Sequence, residues 1–253
     1  MRHFLTILSH EIRSLLFNPG TYIAATFFLG IMGFIFASIL EEYTNAPQEV
    51  PPAQVFFQLF WFPVLFMVPL LTMKSLADER RQGTLETLLT TPVTTAEVVL
   101  GKFFASYFIY LLMWGSTAGL HYLLYHFARD ERLLDPGPLV GGYLFIAVSG
   151  LLFIAVGIFT SALTRSQPVA GIFCLVLLVA LLLGTRFAAA LPDLGPAAFQ
   201  PLRSTLDSVH VFRHLEDFTH GVIDTRQVFF YLTGSVLALI FSILGVEAKL
   251  LQG

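Results

Sequence analysis

His210 and His214 stand four residues apart, a spacing that puts two imidazoles on one face of a helix, and His220 follows nearby. Two such nitrogens are half of a tetrahedral zinc site, but no carboxylate or cysteine completes the set at a ligand spacing. His121 and His126 fall at the outer end of a long apolar segment and read as interfacial polar groups rather than haem ligands. Ser116 lies in Trp114-Gly115-Ser116-Thr117-Ala118-Gly119, which is not the Gly-x-Ser-Gly of an intramembrane serine protease. Small residues of that kind suit close helix packing in lipid. Glu41-Glu42 lack the Arg- and His-bearing partner helices of an intramembrane metalloprotease. Gly101-Lys102 is followed by Phe103 without an upstream glycine, so the chain carries no phosphate loop. The single Cys174 excludes an intrachain disulfide. Covalent, haem or quinone chemistry therefore has little to stand on.

The most ordered polar stretch runs from Asp78 to Val93, between two apolar segments. Asp78, Glu79 and Arg80 form a charged approach, and Gly83 permits a tight turn. Thr84 can cap a helix. Leu85, Leu88 and Leu89 make one apolar face, with Glu86 and Thr87 turned away. Pro92 ends that helix, because the residue before a proline is pushed out of the helical region. Thr94-Thr95-Ala96-Glu97 then has capping-box spacing and opens the next long helix. A loop that only connected two spans would need none of this; the pattern predicts a short docking helix rigidly joined to both.

The elements around that stretch are membrane helices. The 253 residues are 56% hydrophobic and 12% charged, against about a quarter charged in soluble domains. Apolar runs near twenty residues match a ~30 Å hydrocarbon core crossed by helices. Six spans are expected, near Thr21–Leu40, Val55–Met73, Phe103–Leu124, Leu139–Thr160, Val169–Leu191 and Val228–Val246. The second holds Gln58, Pro63 and Pro69 and reads as a kinked helix, either lining the bundle interior or facing lipid. The fold class is thus an all-α integral membrane protein, with 1–253 as a single transmembrane domain. Lys74, Arg80, Arg81, Lys102, Arg165 and Lys249 fall on one side together with Arg2 and Arg13, while Glu41–Gln54 has no Lys or Arg. By the positive-inside rule both termini are cytoplasmic.

Two amphipathic segments flank these spans. In residues 1–17, Phe4, Leu5, Leu8, Ile12, Leu15 and Leu16 share a face, and Asn18-Pro19-Gly20 breaks the helix. It reads as an interfacial elbow, without the features of a cleaved signal peptide. The outer loop 192–227 carries Val211, Phe212, Leu215, Phe218 and Val222 at helical spacing, with Gly221 as a C-cap. A helix over Asp207–Val222 is expected to lie on or dip into the outer leaflet.

Asp78-Glu79-Arg80, Gly83-Thr84-Leu85-Glu86, Leu88-Leu89-Thr90-Thr91-Pro92-Val93 and Glu97 to Phe103 together strongly resemble the first intracellular loop of ABC-2 type permeases. The resemblance extends over nearly the whole chain. Phe212 to Phe218 with Gly221 to Asp224 looks like the gliding-motility-type branch. The resemblance implies a multi-pass permease in the bacterial inner membrane, in which the loop 74–102 supplies a coupling helix seated in an ATPase groove. The residues carried over are Asp78, Glu79, Arg80, Gly83, Thr84, Leu85, Glu86, Leu88 and Leu89. ATP and Mg would be bound by a separate cytoplasmic ABC ATPase subunit and not by this chain. A second permease copy or a related permease is implied, and export is the commoner direction in the family. Membrane lipid surrounds the assembly, an extracytoplasmic substrate-binding protein is compatible with it, and no nucleic acid is expected.

Overall fold

In the computed structural model, residues 2–45, 50–84, 93–127, 135–190 and 210–250 are described, and every regular element among them is helical. In chain order these are α1 (Arg2–Phe17), α2 (Pro19–Asn45), α3 (Pro52–Gln58), α4 (Trp61–Thr72), α5 (Ala77–Gln82) and α6 (Thr95–Ser116). They continue with α7 (Ala118–Phe127), α8 (Pro136–Leu163), α9 (Gln167–Ala190), α10 (Val211–Thr219) and α11 (Thr225–Leu250). Among the described residues, six stretches are long and apolar enough to cross a membrane: Pro19–Asn45, Trp61–Gln82, Thr95–Phe127, Pro136–Leu163, Gln167–Gly184 and Thr225–Ala248. Each overlaps one of the six expected from sequence, the second being displaced toward the C-terminus, beginning at Trp61 and running on through α5.

Helix boundaries follow local chemistry. The Asn18 side chain accepts from the Gly20 N–H at 2.8 Å, and Pro19 opens α2, where its missing N–H costs nothing. Thr94 and Glu97 form the expected capping box at the start of α6. Asp135 caps α8 through the Gly137 N–H at 3.0 Å. In the second span the expected kink is a full break. Pro63 offers no N–H to the Leu59 carbonyl, which takes the Phe62 N–H instead at 3.3 Å. The chain therefore turns at Leu59–Phe60 and separates α3 from α4. Phe56, Phe57, Phe60, Val64, Met67 and Val68 are all buried, so this span lines the interior.

The long helix α8 is the centre of the bundle, packed against α3, α4, α6, α9, α10 and α11. Glycines let it approach its neighbours: a Cβ at Gly157 would lie 2.3 Å from Thr72 Oγ1, and one at Gly150 2.3 Å from Tyr110 Cε1. In α2, by contrast, only the stripe Ala24, Phe28, Met32, Phe36 and Ile39 is buried. Phe28 meets Trp114 edge-on at 5.1 Å between ring centres.

The outer-loop helix forms, but its apolar face has a different partner from the one expected. Val211, Phe212, Leu215 and Phe218 are buried against the bundle, with α10 seated on α8 and α3 rather than presenting that face to lipid. Gly221, at φ +78°, ends it, with the Val222 N–H bonded back to the Asp217 carbonyl at 2.9 Å. Residues 207–209 of the expected helix lie outside the described residues.

Candidate functional site

Of the coupling residues singled out from sequence, Asp78, Glu79, Arg80, Gly83 and Thr84 lie at the end of the bundle where α1, α5, the start of α6, the end of α8 and the end of α11 meet. Here α5 is a single short helical turn and a half, stopped by Gly83 at φ +72°. The Gly83 N–H bonds back to Arg80 and Glu79 carbonyls, a left-handed cap that a side chain would strain. Thr84 is already helical and its hydroxyl donates to the Glu79 carbonyl at 3.3 Å. Gly83 is thus the C-cap of α5; the helix that Thr84 was expected to cap lies outside the described residues. Leu85, Glu86, Leu88 and Leu89 lie outside the described residues.

The charged approach is built into the bundle. Arg80 donates from Nη1 to the Ala162 carbonyl and from Nη2 to the Gly245 carbonyl at 3.0 Å. It thus ties α5 to the carbonyl ends of α8 and α11, where a cation also meets the negative end of each helix dipole. Ser161 Oγ accepts from the N–H groups of Leu76 and Ala77 at 3.0 and 3.1 Å and donates to the Met73 carbonyl. Those donors are buried and would otherwise go unpaired. Asp78 forms an ion pair with Arg81, one turn along the same helix, and hydrogen-bonds the side chains of Gln82 and of Gln167 at the start of α9.

Glu79 reaches across to α6. Lys102, only 3% exposed, places Nζ 2.7 Å from Glu79 Oε1 and 2.7 Å from Glu11 Oε1 on α1. An ammonium this deep needs such partners, because desolvating it costs several kcal/mol. The second Glu79 oxygen is enclosed and hydrogen-bonded to nothing among the described residues, so Lys102 is its main compensation. Around the triad, α1 lies along α6: a Cβ on Gly101 would fall 2.7 Å from Ile7 Cγ2, and Phe4 meets Phe104 edge-on.

Glu11, Lys102 and Ser161 escaped the sequence reading as site residues. Glu11 had a signal, since it continues the stripe Phe4, Leu8, Leu15 on α1, where a carboxylate requires a cation opposite. Ser161 had none, being one hydroxyl among several in the apolar helices. Lys74, Arg81 and Arg165 are exposed, as is Arg13 on α1.

The other chemistry-bearing residues lie elsewhere and apart. His121 is buried among Phe36, Phe56, Phe57 and Tyr143, not interfacial as its position suggested, whereas His126 is exposed. His214 Nδ1 pairs with the Tyr231 hydroxyl at 3.1 Å. The Ser116 hydroxyl donates to the Met113 carbonyl within its own helix. No cluster of three His, Cys, Asp or Glu suited to a metal occurs among the described residues.

The family described as ABC-2 family transporter protein matches residues 6–246, nearly the whole chain. The chain belongs to that family. Comparison with curated proteins gives no match.

Proposed function

We propose that this chain is the permease subunit of an ATP-binding-cassette transporter, driven by a separate cytoplasmic ATPase that docks on Gly83–Leu89. The observation that carries this reading is the platform on either side of that segment, in a chain of the ABC-2 family. Before it, α5 is fastened to α8 and α11 by Arg80 and Ser161; after it, the Thr94 capping box starts α6 directly. A push on a loop held this way is passed to four spans instead of being lost in slack. The chain has no phosphate loop, so ATP and Mg belong to the partner. Pairing with a second permease closes the pathway, and substrate passes between the two by alternating access, in the export direction. A groove of about 510 Å³ between α2, α4 and α9, lined by apolar residues such as Phe27, Phe66, Pro69 and Ile172, supports a hydrophobic or amphipathic cargo.

The test is a double substitution, Leu88→Asp with Leu89→Asp. A helix of one or two turns is unstable alone, so its apolar face needs a partner to cover it. Burial is worth roughly 1.5–3 kcal/mol per leucine, and two buried charges add to that loss. The variant should insert normally yet lose its ATPase on co-purification, or retain it without permease-dependent ATP turnover. Normal binding and turnover by the variant would leave Gly83–Leu89 a mere connector.

A further inference from the structure

We propose that Lys102 is a positioning residue that makes the N-terminal helix α1 part of the moving body, joined to the docking segment rather than standing by as a membrane anchor. The role presupposes the ATPase-driven permease proposed above. Among the described residues, two groups of elements meet at this ammonium. One is α5 with the ends of α8 and α11, held by Arg80 and Ser161. The other is α1 laid along α6, held by the Gly101–Ile7 approach and the Phe4–Phe104 pair. Glu79 belongs to the first group and Glu11 to the second; Lys102 binds both at 2.7 Å.

The geometry favours transmission over simple anchorage. A triad placed for stability alone would be no better than apolar side chains, since replacing a buried ion cluster by hydrophobic isosteres is often neutral or stabilising. Here the cluster sits with Glu79 in the charged approach to Gly83–Leu89 and Lys102 in the first turns of α6, where the docking loop re-enters the bundle. The two partners also come from two other elements far apart in sequence, 91 and 23 residues from Lys102. Charge-assisted bonds of this kind hold orientation as well as distance, so α1 cannot rotate on α6 without Lys102 releasing Glu11, and α5 cannot shift on α6 without Lys102 releasing Glu79. The expectation is that α1, α5 and the first turns of α6 move as one unit when the ATPase closes.

Full-length permease assembled with its ATPase in lipid nanodiscs provides the test, in a Cys174→Ser background. Spin labels go on the exposed positions Ser9 of α1 and Gln82 of α5, with labelled subunits diluted by unlabelled ones. In the parent protein the Ser9–Gln82 distance distribution should stay single and narrow in the nucleotide-free and ATP–vanadate states. Lys102→Met alone leaves two carboxylates facing each other and risks misfolding, so the decisive variant is Glu11→Gln with Glu79→Gln and Lys102→Met. It should melt like the parent and bind the ATPase. Its distance distribution should broaden or shift with nucleotide, and permease stimulation of ATP hydrolysis should fall about tenfold, the scale of coupling between contacting residues. A triple variant that keeps both the narrow distribution and full stimulation overturns the role of Lys102 while leaving the permease reading intact. Failure of the parent chain to bind the ATPase removes the permease reading, and this role with it.

Discussion

Ser161 shows how much can rest on one hydroxyl in an apolar helix. It accepts from two adjacent buried N–H groups, Leu76 and Ala77, both fully enclosed. No helical carbonyl is available to either donor at the turn entering α5, so Ser161→Ala strands both. Each unsatisfied buried donor costs about 1–3 kcal/mol. The variant should therefore insert but melt several degrees lower in detergent, and protease should cut the loop 74–102 more readily. Ser161→Cys, which keeps a weak acceptor, should fall between. An unchanged melting curve for the alanine variant would mean water reaches those donors. None of this was legible in the sequence: a serine in a span more often bonds its own helix, as Ser242 does to the Ala238 carbonyl. Glu11 is the opposite case. Its place on the apolar stripe of α1 demanded a buried cation, and only the identity of Lys102 needed the fold.

At the scale of elements, periodicity located the helices and left their partners open. The stripe in α10 was visible as Val211, Phe212, Leu215 and Phe218, yet an apolar face reads the same whether lipid or protein covers it. What decided the outcome was Gly141 on α8, a helix away in sequence. A Cβ there would lie 1.9 Å from the Phe218 carbonyl oxygen and 2.7 Å from its carbon. Those are backbone atoms that cannot yield by changing rotamer, so the gap left by one missing methyl seats α10. Gly141→Ala should displace α10 from α8 without harming the helical propensity of α8 itself. Hydrogen exchange should show faster amides in Val211–Thr219, with the ladder of α8 unchanged. Retained protection in α10 would mean that its burial rests on Phe212 and Phe218 alone. Pro63 taught a similar lesson: the break it causes was predictable in kind, but its severity depended on the i+3 bond that Leu59 found.

For the whole molecule, the order of spans and the charge bias were legible, because both depend on composition along the chain and not on contacts. The structure adds which loops share an end. Arg80 bonds to Ala162 near the finish of α8, whereas Gly141, near its start, carries α10. At 1.5 Å per residue these positions are about 30 Å apart, close to the thickness of a hydrocarbon core. The end with Arg80, Lys102 and the exposed Lys74, Arg81 and Arg165 is thus one membrane face, and the end with α3 and α10 the other. Since Lys and Arg are retained on the cytoplasmic side, the Arg80 face should be inside. Single cysteines at Gln82 and at Gln48, each in a Cys174→Ser background, check the assignment with an impermeant thiol reagent on intact cells and on inverted vesicles. Gln48 should label in cells and Gln82 in inverted vesicles. Labelling of both from the same side would reject the six-span arrangement, and a clean reversal would place the docking segment away from ATP and end the permease reading at its root.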